Sequence, residues 1–209
     1  MKSLLITLTL TLSLGAFAQT AQQADDLYSA RGIDANKALE AATAYTTLAA
    51  ATANKAEKAT FLNEASKSYY FVGTSKSSDD QKKKYHIMGM NVAQEAIDTV
   101  LTFTNATEKE QLAMGYFRFG SNQGKWAEAN GIASSLGKWP SLKTYMKNII
   151  KLGYKSLEAY GAYRILGRAY YKLPAPLGSK KKALKYLETA FNGSMNGNDI
   201  SNYGLNVNF

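Results

Sequence analysis

The chain has no cysteine, only three prolines and a single histidine in 209 residues. Without cysteine there are no disulfides, no thiol nucleophile and no thiolate metal ligands. There is also no cysteine that could be acylated to make a lipoprotein. His86 would have only carboxylates as fellow metal ligands, and no His-Glu-x-x-His spacing occurs. No Gly-rich phosphate loop or Gly-x-Ser-x-Gly elbow is present. The adjacent acidic pairs Asp25-Asp26 and Asp79-Asp80 fall at expected helix starts, where carboxylates serve as caps. The expectation is therefore a protein that is not an enzyme, with no catalytic residues, no metal and no cofactor. Beyond the first eighteen residues alternating β-branched runs are missing too, which argues against a sheet.

What is present begins with a leader. Lys2 supplies a positive start, Leu4 to Leu14 an apolar run, and Ala16-Phe17-Ala18 a small-residue cleavage site. The run is too short to cross about 30 Å of hydrocarbon comfortably, so residues 1–18 read as a secretory signal peptide. No later segment has the length and apolarity of a membrane span. The expectation is an exported, periplasmic protein with no stable membrane anchor after cleavage. Formal charge is +9; loss of Lys2 leaves 24 basic against 16 acidic residues, about +8. Export argues against nucleic acid as a partner. An anionic surface, an acidic partner or an acidic solute fits the charge, as does a plain lysine-rich surface.

Helical signals run the length of the mature chain. Gln22 to Ala30 reads as a short helix stopped by Gly32, and Asp34 as the N-cap of a helix to Ala53 with Ala41, Tyr45 and Leu48 on one face. Ala56 to Val72 follows, with Phe61, Leu62, Ala65, Tyr69 and Val72 as its stripe, and Gly73 to Ser78 is expected as a polar loop. The next helix, capped by Ser78 or Asp79 and ending near Thr102, is expected to turn Tyr85, Met88, Val92, Ala96 and Val100 inward. Thr107 to Glu110 reads as a capping box opening a helix to Gly120. Asn122 to Trp126 reads as a turn, leading to a helix that stops before Gly137. Pro140 opens a helix over about Ser141 to Leu152, ended by Gly153. Residues from about 193 onward, rich in Gly, Asn and Ser, are expected to be loosely ordered.

The segment Tyr160 to Ala190 carries the sharpest pattern. Tyr163, Leu166, Gly167 and Tyr170 are followed by Ala183, Leu187 and Ala190, the spacing of a tetratricopeptide-type hairpin. Its turn is about four residues longer than usual and holds Pro174, Pro176 and Gly178. The predicted fold is all-α: stacked antiparallel helical hairpins, a tetratricopeptide-like α-solenoid of about ten helices, forming a single domain over residues 19–209. Such hairpins cannot bury both faces alone and must stack.

Two blocks, Tyr116 to Gly131 and Tyr160 to Pro174, together with Gly178 and the helix from Lys181 to Ala190, resemble the T component family of TRAP (tripartite ATP-independent periplasmic) transporters. The most specific parts are Asn122, Gly124, Lys125, Trp126 and Ala127, and Arg164 to Arg168. The organisation is similar from about Ala24 to Ala190. The resemblance implies a periplasmic protein of stacked hairpins that associates with the transporter's solute-binding subunit. It also implies a small apolar or amphiphilic organic ligand, and a homotrimer in some members. Family members are often lipoproteins, and related chains tend to continue beyond the position of Phe209; this chain departs on both counts. The alternative function is a general envelope scaffold whose groove binds peptide or protein partners.

Candidate binding residues are Tyr116, Arg118, Asn122, Lys125, Trp126, Tyr160, Arg164, Arg168 and Tyr171. Trp126 could stack on an apolar or sugar surface beside Lys125, or fill a hairpin corner. Arg164 and Arg168 share a helical face and could clamp an anion. Their alternative partners are Glu158, Glu128 or helix carbonyls. In the pairs Tyr69-Tyr70 and Tyr170-Tyr171 the rings point about 100° apart, so one of each can face a groove. Lys82 to Lys84 and Lys180 to Lys182 oppose the helix dipole and could meet an anionic surface, or be solvated.

Overall fold

The computed structural model describes residues 20–196; the leader assigned to residues 1–18 and most of the tail lie outside that range. Every regular element within it is helical. The α-helices are α1 (Ala21–Ser29), α2 (Ala35–Ala51), α3 (Lys55–Ser75), α4 (Asp79–Val100), α5 (Ala106–Asn130), α6 (Trp139–Lys151), α7 (Leu157–Lys172) and α8 (Lys180–Asn196). Two 3-10 segments, Ala30–Gly32 and Ala133–Lys138, precede α2 and α6. Against the expected count of about ten, the described residues hold eight α-helices; the two 3-10 segments are short connectors.

Side-chain caps fix several starts. Thr20 and Gln23 form a reciprocal capping box at α1. Asp34 accepts from Asn36 N–H at 2.8 Å, and Asn54 from Glu57 N–H at 3.1 Å. At α5 the cap is Asn105 rather than Thr107, accepting from Glu108 N–H at 2.9 Å. The Glu108 carboxylate reaches back to Thr104 N–H at 2.7 Å, and that bond holds its pKa below the usual carboxylate range.

Short connections place consecutive helices side by side, and α5 touches α3, α4, α6 and α7. On one side, Ala41, Ala44 and Tyr45 of α2 pack with Ala24 and Ala65. On the other, Leu112, Tyr116 and Phe117 of α5 meet Leu142, Met146 and Ile149 of α6 and Leu166 and Tyr170 of α7. Full burial of each such aliphatic side chain is worth about 1.5–3 kcal/mol.

Several expectations are corrected here. The turn at Asn122–Trp126 does not exist: α5 runs unbroken for 25 residues, from Ala106 to Asn130. Its glycines disfavour helix by about 1 kcal/mol each, but Gly120 is where the Met146 methyl packs against bare backbone. Likewise α3 continues through Gly73 to Ser75, because the His86 ring lies where a Gly73 Cβ would stand. Along α4, Ala96 and Val100 are buried as expected, but ahead of them the inward stripe is shifted by one residue: His86, Gly89 and Ala93 are buried, while Tyr85, Met88 and Val92 are half-buried. Residues 193–196 are helical, the end of α8; the rest of the expected loose tail lies outside the described residues. Lys82 and Lys83 pair with Asp79 and Asp80 at 2.8 and 2.7 Å, each within its own helical turn.

The α7–α8 contact forms as the spacing anticipates. A Cβ on Gly167 would lie 2.7 Å from Leu187 and 3.2 Å from the Ala183 carbonyl. Ala183 and Ala190 are buried against α7. Gly167→Val is expected to lower stability by about 1–3 kcal/mol in urea unfolding. An unchanged midpoint would show that the hairpin yields at this contact.

Beneath α5 lies a buried polar node. His86 Nδ1 meets Asn122 Oδ1 at 3.0 Å, and Asn122 Nδ2 donates to Ser66 Oγ at 3.1 Å. Ser66 Oγ donates to the Gly89 carbonyl at 2.8 Å. Burial pushes the His86 pKa below its ordinary value, against the Asn122 bond, which raises it; nearby Lys125 lowers it and Glu128 raises it. A folded-state pKa below the unfolded one means that the unfolded chain binds the extra proton. Stability should therefore fall as pH drops below about 6.5. Between pH 7 and 5 (about one unit or more above most carboxylates) urea midpoints should decline, and His86→Gln should flatten the decline. An equal decline in both proteins would assign it elsewhere.

Candidate functional site

A cavity of about 360 Å³ opens between α5, the 3-10 segment Ala133–Lys138, α6 and α7. Two helical faces make its walls. The central stripe of α5 is Phe117, Gly120, Ser121, Gly124 and Glu128, and that of α7 is Gly161, Arg164, Ile165, Arg168 and Lys172, each in three- and four-residue steps. Gln123, Lys125 and Ala127 flank the first and Ala169 the second. Trp139 and Leu142 of α6 complete the apolar floor, with Trp139 edge-on to Tyr170 at 5.0 Å between ring centroids. Gly124 matters by what it lacks: a Cβ there would meet nothing within 4 Å. The helix thus keeps space at that point of the cavity wall.

The rim is charged. Lys125, Lys138, Arg164, Arg168 and Lys172 line it, with Glu128 as the only carboxylate among the lining residues. Arg168 places Nε at 2.8 Å and a terminal nitrogen at 2.7 Å from Glu128 Oε1. Lys125 Nζ lies 3.1 Å from Oε2, and Lys172 Nζ 3.7 Å from Oε1. Burial pushes the Glu128 carboxyl up, but the Arg168 hydrogen bond and the Lys125 charge outweigh it and hold the pKa below the usual range.

Arg164 donates to the Glu158 carbonyl at 2.8 Å. That residue begins an unusual stretch: Glu158, Ala159 and Tyr160 have φ of 48°, 52° and 59°, so regular right-handed helix resumes only at Gly161. Left-handed backbone costs about 1–2 kcal/mol per non-glycine residue. Arg118 helps to hold it, donating to the Glu158 carboxylate at 2.7 Å from a nearly buried position.

Of the nine residues singled out from sequence, the cavity gathers three: Lys125, Arg164 and Arg168. Tyr116 is core, its ring 4.9 Å from that of Tyr145. Arg118 braces Glu158, and Asn122, 0% exposed, belongs to the node with His86 and Ser66. Trp126 is half-buried outside the cavity lining, its indole N–H without a partner among the described residues. It does not begin a helix after a glycine turn, because the helix there is continuous. Tyr160 sits in the left-handed stretch against Gly193. Tyr171 is 64% exposed and is not among the lining residues, whereas Tyr70 is.

Sequence reasoning missed Phe117, Gly124 as a spacer, Trp139, Ile165 and Lys172. For Phe117 and Gly124 the signal was available once α5 is read as one helix, since positions 117, 120, 121, 124 and 128 then share a face; Ile165 and Lys172 lie one and four residues from Arg164 and Arg168 on α7, and Trp139 carried no local signal. Among the described residues no group of three or more His, Asp or Glu could hold a metal. None of their helices is long and apolar enough to cross a membrane. No family model matches the chain, and no curated protein matches it.

The two arginine roles are separable. Arg118→Met should cost about 1–3 kcal/mol in urea unfolding, discounted because Glu158 is half-exposed. Lys125→Met and Lys172→Met, on the rim, should stay within about 0.5 kcal/mol. A rim variant as damaging as Arg118→Met would make the rim structural.

Proposed function

We propose that this protein is a periplasmic, tetratricopeptide-like helical-repeat accessory of a TRAP-type solute uptake system. In this reading it engages the solute-binding subunit and holds a small organic ligand in the α5–α7 cavity. It does no covalent chemistry. The observation that carries the proposal is the origin of the cavity walls. The two blocks that resemble the T component family, Tyr116 to Gly131 and Tyr160 to Pro174, are the helices α5 and α7 that face each other across it. An apolar floor with a few charged groups at its edge is the usual make-up of a small-molecule site, and about 360 Å³ lies within the usual range of about 300–1,000 Å³. The hairpin contact at Gly167 supports the repeat-like stack.

The test is a pull-down from the native envelope fraction with residues 19–209 as bait, followed by mass spectrometry. Recovery of a periplasmic solute-binding protein encoded beside a membrane permease is the expected result. Recovery of envelope assembly factors instead, or of nothing, refutes the transport reading.

A further inference from the structure

We propose that the outer face of α8 is a docking surface for an anionic phospholipid membrane. The inference is independent of the cavity. Helix α8 packs chiefly on α7, through Ala183, Leu187 and Ala190. Leu184, Phe191 and Met195 are left outside that contact, 59%, 41% and 50% exposed. Folding does not hide these side chains from water, so they contribute little to the core. With Lys181 and Glu188 they follow three- and four-residue steps and form one stripe along the helix.

The same helix carries four lysines, Lys180, Lys181, Lys182 and Lys185, all exposed, against one carboxylate, Glu188. Three of the lysines sit in the first turn, where the helix dipole favours acidic residues, so helix stability does not account for them. Lys182 lies over the Tyr170 ring, 5.4 Å from its centroid. Lys180, Lys181 and Lys185 have no ion-pair partner among the described residues, unlike Lys82 and Lys83, which their own helical turn neutralises. Unneutralised lysines beside an exposed apolar stripe match a bilayer surface in chemistry and in layout. Leu184, Phe191 and Met195 enter the boundary between headgroups and acyl chains, while the lysine stems let the ammonium groups stay at the phosphates. Charge of one sign selects this occupant over a soluble protein, whose acidic groups would have to be placed one by one; an anionic bilayer presents them everywhere. Glu188 stands within the stripe and is repelled by anionic lipid, which keeps the contact a reversible adsorption. Each lysine near such a surface strengthens adsorption by roughly fivefold.

The experiment is co-sedimentation of the purified mature chain with vesicles of phosphatidylglycerol and phosphatidylcholine in equal parts, against vesicles of phosphatidylcholine alone. The chain should pellet with the anionic vesicles and be released as salt rises. Lys180→Gln/Lys181→Gln/Lys185→Gln should weaken binding by about tenfold or more, and Leu184→Gln/Phe191→Gln should weaken it comparably. Glu188→Gln should strengthen it. Lys82→Gln/Lys83→Gln/Lys84→Gln removes as much charge from α4 and should bind nearly as the native chain does. All these side chains are at the surface, so the variants should keep the native urea midpoint. In Phe191→Trp the added indole should shift its emission to the blue on anionic vesicles and be quenched by brominated acyl chains. Absence of sedimentation with anionic vesicles, or equal sedimentation with neutral ones, overturns the inference. So does a loss in the α4 variant as large as in the α8 variants, which would leave net charge alone as the cause. Variants of α8 that bind vesicles like the native chain but no longer recover the solute-binding subunit would assign the face to a protein partner, and the inference fails.

Discussion

Asn122 fixes the rotation of the longest helix, and the rest of the molecule is arranged around that phase. Its amide is fully buried and bonded to His86 of α4, to Ser66 of α3 and to the Arg118 carbonyl one turn back in α5. A buried amide without partners would cost several kcal/mol, so this orientation is strongly specified. Gly89 has no Cβ because the Asn122 side chain occupies that space. With Asn122 pointing at α3 and α4, Gly120 and Gly124, two residues either side and about 200° around the helix, must point toward α6 and α7. The cavity is the outer consequence of the node beneath it.

The cations divide by energetic role. Arg118 and Arg164 meet Glu158 through its carboxylate and its carbonyl, and so brace the left-handed stretch that starts α7. Such a stretch persists only where its surroundings over-determine it. Arg168, Lys125 and Lys172 instead share Glu128 at a half-exposed rim, where ion pairs contribute little to stability. The same residue type thus serves structure at one end of α7 and leaves charge available at the other. The exposed pairs of α4, Lys82 with Asp79 and Lys83 with Asp80, belong to neither role.

Helix identity was legible wherever an apolar stripe and a cap agreed, as at Asp34 and in the Gly167 hairpin. Gly32 and Gly153 do close their helices as expected, but the reading failed where Gly73 and the glycines of α5 were taken as punctuation. Gly73, Gly120 and Gly124 are helical because a neighbour or a cavity needs the missing side chain, a tertiary reason that no local pattern carries. The same failure hid the cavity, since a broken α5 scatters one face over two elements. The first half of the α4 stripe was misassigned because it holds His86 and Gly89, which hydropathy does not mark as inward; Ala96 and Val100 further on are buried as expected. Arg164 and Arg168 could be found from their four-residue step, and Glu128 was named among their partners. That Arg168 would share Glu128 while Arg164 turned to the Glu158 carbonyl required the fold.

The charged cluster has a mechanical meaning. Glu128 and Lys125 belong to α5, Arg168 and Lys172 to α7, and α8 rides chiefly on α7. The cluster is therefore a clasp between the last hairpin and the body of the molecule. A displacement of the last hairpin against α5 must stretch the contacts of Arg168 and Lys172 with Glu128, so the seating of that hairpin is registered at the edge of the cavity.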